Sequence, residues 1–170
     1  MSTPADAGSE RGEAPRIEWD ALLDAARAAM RRAYAPYSGY PVGAAGLVED
    51  GRVVSGCNVE NAGYGVTLCA ECGLVSSLYG TGESRGDGPV LYHEAERELL
   101  VALSCVDGNG TPITPCGRCR QLLFEHASPD MLIEMDGGPP LPLTDLLPHA
   151  FGAPNLGAVA TAAATLKGDS

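Results

Sequence analysis

The sequence predicts a single α/β domain built on a mixed sheet, and three patterns carry that reading. Two β-prone runs, residues 42–49 (VGAAGLVE) and 52–59 (RVVSGCNV), flank an Asp50-Gly51 turn and read as a hairpin. Residues 99–107 (LLVALSCVD) are almost wholly apolar, as a strand covered on both faces requires. Beyond the hairpin, helical and strand patterns alternate, which is the order of an α/β chain.

Taken in order, residues 1–15 are small, polar and proline-containing and read as a disordered leader. The domain is expected over residues 16–155, with a flexible tail over 156–170. In residues 17–34, Trp19, Leu22, Leu23, Ala26 and Met30 recur at three and four, the stripe of an amphipathic helix that Pro36 closes. The small residues Gly43, Ala44, Ala45 and Gly46 predict a second element packed closely on the first strand. Residues 68–79 form a compact apolar helix pattern, and 80–90, rich in glycine and charge, a loop. After a turn at Asp107-Gly108-Asn109-Gly110, residues 117–126 read as a short helix behind Pro115. Residues 131–135 read as another strand and 144–147 as a helical turn.

Composition narrows the function. The chain has 170 residues, 45% of them apolar and 19% charged, which argues against a disordered protein and fits one core. Acidic residues outnumber basic ones 22 to 11, Lys167 is the only lysine, and the net charge is −11. A polynucleotide backbone is bound by clustered cations, so this balance argues against such a partner. No run approaches the roughly 20 apolar residues of a membrane span, and the N-terminus lacks the basic start and apolar middle of a secretion signal. The expected location is cytoplasmic, where six cysteines point to metal or redox chemistry before disulfides.

Four of those cysteines lie in two segments, Cys69-Ala70-Glu71-Cys72 and Cys116-Gly117-Arg118-Cys119, each at the mouth of a predicted helix. Free amides and the positive end of the helix dipole stabilise thiolate there, and thiolate binds zinc. Spacing leaves two readings open. One is a closed structural site of all four sulfurs, which spacing slightly favours. The other is a catalytic zinc on Cys69, Cys116 and Cys119, with a fourth position for water and Glu71 beside it. Two facts favour the second. The 43 residues between Cys72 and Cys116 exceed the roughly 15–20 of a zinc ribbon, and a chain this apolar needs no metal to assemble its core. Three protein ligands with a nearby non-ligating glutamate is the pattern of zinc nucleobase deaminases.

Five motifs extend the match: APYSGYPVGAA (35–45), GCNVENAGYG (56–65), Cys69-Ala70-Glu71, PCGRCRQ (115–121) and LLPHAF (146–151). In this order they resemble the small single-domain cytidine deaminases, over about residues 34–151. The resemblance implies a mixed five-stranded sheet sandwiched by helices, a homotetramer, and active sites completed across subunits. It implies Zn²⁺ on Cys69, Cys116 and Cys119, with the bound water acidified toward neutrality. Glu71 then takes the water's proton to N3 of the cytosine ring, hydroxide adds at C4, and a second proton leaves with ammonia. The implied reaction turns cytidine or deoxycytidine into uridine or deoxyuridine in pyrimidine salvage. Asn58 and Glu60 match the pair on the ribose 3′-hydroxyl, which selects nucleoside over free base. The Ala70 amide matches a contact to the ring O2, and Tyr64 and Phe151 match aromatic residues reaching into a neighbouring subunit's site.

The sequence departs from the family at three places. Tyr40 stands where a phenylalanine usually packs on the pyrimidine. Cys72 stands where an arginine usually offsets the thiolate charge; the two helix N-termini, ahead of Arg118 or Arg120, are the expected substitutes, and Cys72 is expected outside the ligand set. Residues 82–96, with His93, Glu94 and Glu96, form a longer connection that reads as a solvated loop. His126 is expected to cap a helix end and His149 to line an interface, while Cys57 and Cys105 read as small buried hydrophobes. Two other readings are a deaminase of a modified cytosine nucleoside and a non-catalytic binding module stabilised by a four-cysteine zinc.

Overall fold

The computed structural model describes residues 15–81, 98–153 and 155–156. The expectations for most of the leader, for the 82–96 loop with His93, Glu94 and Glu96, and for nearly all of the tail lie outside the described residues. The elements are α1 (Trp19–Met30), β1 (Gly43–Val48), β2 (Val53–Cys57), a 3₁₀ turn (Tyr64–Val66), α2 (Ala70–Gly80), β3 (Leu100–Val106), α3 (Gly117–Glu125), β4 (Ala127–Ile133), β5 (Leu141–Pro142) and α4 (Leu143–Leu146).

The five strands form one sheet in the order β2-β1-β3-β4-β5. Three of its pairings are antiparallel and β3–β4 is parallel, so the sheet is mixed as expected. The β1–β2 hairpin turns at Gly51, whose φ of 87° only glycine adopts freely. Both faces are covered. On one, α1 packs Leu22 and Ala26 against Ala45, Leu47, Ala102 and Val106. On the other, Leu74 and Leu78 of α2 and Leu123 of α3 pack with Ala44, Val48, Leu103, Cys105 and Ile133. Alternate residues of β1 thus face opposite helices, which is why every residue of this short strand is buried.

The glycines set how closely the helices approach. A Cβ on Gly43 would lie 2.1 Å from the Ala26 carbonyl oxygen on α1, and one on Gly56 would lie 2.3 Å from the Leu74 nitrogen on α2. Gly56 therefore holds the helix that carries Glu71 directly on the sheet. Gly56→Ala should cost about 3 kcal/mol, because the obstacle is backbone and cannot rotate away; urea unfolding measures it, and a loss under about 0.5 kcal/mol would show that α2 yields freely.

Three boundaries differ from the sequence pattern. The first helix stops at Met30 instead of reaching Tyr34, because Tyr34 is drawn beside the end of β2, donating its N–H to Asn58 O at 3.0 Å and accepting from Glu60 N at 2.8 Å. The fourth strand begins at Ala127, ahead of its apolar part; Ala127 pairs with Leu100 across an irregularity, and Pro129 and Asp130 hide the strand in the sequence. The fifth strand has two residues, too few to show any period. No helix among the described residues is long and apolar enough to cross a membrane.

The topology prepares one edge of the sheet for chemistry. Because β2 and β3 are both antiparallel to β1, their C-terminal ends lie on the same edge. α2 follows β2 and α3 follows β3, and both pack on one face. Their N-termini therefore meet at that edge, where open α/β sheets commonly place their sites.

Candidate active site

Cys69 is the N-cap of α2 and Cys116 the N-cap of α3, with nearly the same extended backbone (φ −68°, ψ 160° and φ −65°, ψ 164°). Cys119 lies in the first turn of α3 and is fully buried. The Sγ atoms of Cys69, Cys116 and Cys119 all lie within 4.8 Å of one another. Sulfurs bound tetrahedrally to zinc at about 2.3 Å stand roughly 3.8 Å apart, so a small contraction closes the cluster on an ion. Three soft donors at two helix ends fit zinc, and among the described residues no fourth ligating group joins them.

Cys72 is not in this cluster. Its N–H turns back to the Cys69 carbonyl at 3.0 Å, and its sulfur accepts a contact from Arg118 Nη2 at 3.7 Å. The Arg118 guanidinium also reaches Thr67 O at 3.4 Å, so it bridges from α3 to the approach of α2. Cations are disfavoured at a helix N-terminus unless negative charge offsets them, and the thiolates of a loaded cluster supply that charge. Arg120 faces elsewhere, donating to the Pro115 and Leu146 carbonyls at 2.7 and 3.0 Å. Of the two arginines, Arg118 is the one whose guanidinium meets a sulfur, that of Cys72. Cys72→Ala should keep stoichiometric zinc and turnover within about threefold of the parent. Zinc analysis and an activity assay check this, and loss of the ion would place Cys72 among the ligands.

The three thiols differ in how readily they ionise. Burial pushes the Cys69 thiol up, and it pushes Cys119 up further, with the Glu71 charge adding to it. Cys116 moves the other way: although burial opposes its ionisation, the Cys119 and Arg118 amides at the head of α3 and the Cys119 thiol outweigh that cost. A cation entering the cluster must displace the remaining protons, which couples its binding to pH.

Glu71, the second residue of α2, is only 3% exposed. Its Oε1 lies 3.9 Å from the thiol of Cys105, which donates to it from β3. Burial, reinforced by the Glu71 charge, pushes Cys105 well up, so it remains a protonated donor. The sequence gives Cys105 only as a small hydrophobe in a strand. Its thiol reaches the carboxylate because α2 packs on the sheet face that Cys105 points to, which no local pattern reveals.

The other expected site residues have structural partners. Asn58 is buried, with Nδ2 donating to Tyr40 O at 2.9 Å and Oδ1 accepting from Val42 N at 2.8 Å. Glu60 accepts from Tyr37 N at 2.8 Å, Ser38 N at 3.2 Å and the Ser38 hydroxyl. Together they tie residues 37–42 to the end of β2, and each keeps spare hydrogen-bonding capacity. Tyr40 is half exposed, Ala70 is buried at the start of α2, and Tyr64 is 74% exposed with its ring edge-on to Tyr37 at 6.1 Å. Phe151 is exposed, its carbonyl held by Gln121 Nε2 at 2.8 Å. His126 is the C-cap of α3 as expected, and its ring contacts the Tyr79 hydroxyl at 2.9 Å.

The Ser38 hydroxyl, followed by the Tyr37 and Ser38 amides, holds Glu60 below the usual carboxylate range, with burial opposing. A lowered folded value stabilises the fold above the unfolded pKa and is lost as pH falls through the folded one. Glu60→Gln should therefore melt below the parent at neutral pH, and the gap should close as pH drops below about 4. Thermal melts across pH check the sign; a gap that widens with acid would contradict it.

Comparison with known proteins agrees with this geometry. Residues 17–135 match the family model of the cytidine and deoxycytidylate deaminase zinc-binding region. A cytidine deaminase of Mycobacterium tuberculosis is 49% identical over 142 residues, covering 84% of this chain and 96% of the relative. The crystal structure of cytidine deaminase from that organism superposes with a TM-score of 0.70 at 48% identity, covering 81% of this chain and all of the other. That from Mycobacterium leprae gives 0.67 at 48% identity, covering 79% and all of the other. Two helix N-termini presenting three sulfurs, with a buried glutamate behind them, are thus found in a chain that belongs to the cytidine and deoxycytidylate deaminase family of zinc-binding proteins.

Proposed function

We propose that this protein is a zinc-dependent hydrolase that converts cytidine and deoxycytidine to uridine and deoxyuridine with release of ammonia. The observation that carries this reading is Glu71, a carboxylate buried beside three clustered sulfurs that no fourth ligating group joins among the described residues. When bound there, zinc supplies the Lewis acidity that makes water a nucleophile near neutral pH. Cys69, Cys116 and Cys119 would hold it. Glu71 is the catalytic residue: its carboxylate accepts a proton from water, passes it to N3 of the ring, and carries a second to the departing amine at C4. Cys105, donating to Oε1, keeps one carboxylate oxygen fixed while the other moves protons.

Asn58 and Glu60 bind the ribose 3′-hydroxyl with the capacity left by their backbone partners, and the Ala70 amide, free in the first turn of α2, meets the ring O2. Tyr40 packs on the pyrimidine. Tyr64 and Phe151, 74% and 58% exposed, complete the sites of neighbouring subunits in a homotetramer. Exposed rings of this size on an otherwise acidic surface support an interface. The domain spans 16–155, and ligands that must stay reduced support a cytoplasmic location. The test is direct: zinc-loaded full-length protein should deplete the ultraviolet band of cytidine and release one ammonia per uridine formed. Stoichiometric zinc without turnover would sink the assignment.

A further inference from the structure

Two adjacent residues of α3 hold both ends of one distant segment. Arg120 uses its guanidinium twice, donating from Nε to Pro115 O at 2.7 Å and from Nη1 to Leu146 O at 3.0 Å. Pro115 immediately precedes Cys116, and Leu146 ends α4, where carbonyls lack helical partners. Gln121 then donates from Nε2 to Phe151 O at 2.8 Å. Between these anchors the chain passes through Pro148 and through His149, which has a left-handed φ of 56°. A histidine adopts that conformation at some cost, so the course from Leu146 to Phe151 needs outside support.

We propose that Arg120 and Gln121 are positioning residues that make one helix set both its own sulfur cluster and the Phe151 wall that completes a neighbouring subunit's substrate pocket. Arg120 acts on both, because its planar fork spans Pro115 beside a ligand and Leu146 at the base of the segment. A lysine ammonium lacks that fork. Gln121 acts on Phe151 alone. The inference rests on the reading of Phe151 as a substrate contact and of Cys116 as a zinc ligand.

The experiment compares zinc-loaded full-length Arg120→Lys, Gln121→Glu and Phe151→Ala, measuring kcat and KM with cytidine and zinc release to a chromophoric chelator. Gln121→Glu keeps size but removes the donor at an exposed position. It should raise KM about fivefold, with kcat much less affected and zinc release as in the parent. Arg120→Lys should raise KM by a similar factor and also release zinc about tenfold faster. A merely structural role would move zinc release alike in both variants, which would overturn the proposal. So would a parental KM in Gln121→Glu while Phe151→Ala raises KM, an outcome that leaves the proposed function standing. A silent Phe151→Ala would overturn the substrate role of Phe151 and this inference together. Should Arg120→Lys fail to fold, Arg120→Gln, which retains one donor group, is read against the same two outcomes.

Discussion

Glu71→Gln should lower cytidine turnover by at least about 10³-fold while the protein stays folded and keeps its zinc. The amide has the shape of the carboxylate, so the buried space behind the sulfurs stays filled, but it cannot accept a proton and return it. Because the same group is needed for the proton at N3 and for the one leaving with ammonia, no second residue among the described ones stands ready to take over. Glu71 is not one of the clustered donors, so zinc content should not change. The 3.9 Å contact from the Cys105 thiol survives at an amide oxygen, which preserves the orientation. Steady-state kinetics with metal analysis on the same sample decide the matter. A variant that keeps zinc and loses less than about tenfold in kcat would remove Glu71 from the chemistry.

Much of the site was legible because its chemistry sits in short local motifs. Cys69, Glu71, Cys116 and Cys119 occur within two helix-opening turns, and the requirement for thiolate at a helix N-terminus links the residue types to the place. The hairpin was legible from Asp50-Gly51, and the close packing of β1 from its small residues. The rest depends on contacts between distant segments. Cys72 and Cys119 have the same spacing from their N-cap cysteines, yet only Cys119 joins the cluster, and nothing in either Cys-x-x-Cys says which. Arg118 reaches Cys72 across 46 positions. Cys105 looked inert because its partner is 34 positions away. The end of α1 is hidden for a similar reason: residues 31–34 carry helical propensity, but the backbone of Tyr34 pairs beside β2 instead. Local pattern fixed the parts, and crossing elements decided their roles.

Cys119→Ser should abolish both zinc binding and activity. A serine hydroxyl has almost the thiol's shape but does not ionise near neutral pH, so the cluster keeps two ligands and loses its centre. Cys119 is the ligand to choose because it is fully buried in the cluster, whereas Cys116 is exposed and open to replacement by solvent. Burial and the Glu71 charge push its thiol up, so a zinc ion must displace a proton from this sulfur to bind. The parent should then lose zinc on mild acidification, as protons compete for that sulfur. The variant should contain less than about a tenth of an equivalent at any pH, and it should melt several degrees lower because a ligand bound only by the folded state no longer stabilises it. Metal content, turnover and thermal midpoint read together test this. Retention of a full equivalent of zinc by Cys119→Ser would mean that Cys72 had entered the ligand set, and the free direction that admits water would then have to be sought elsewhere.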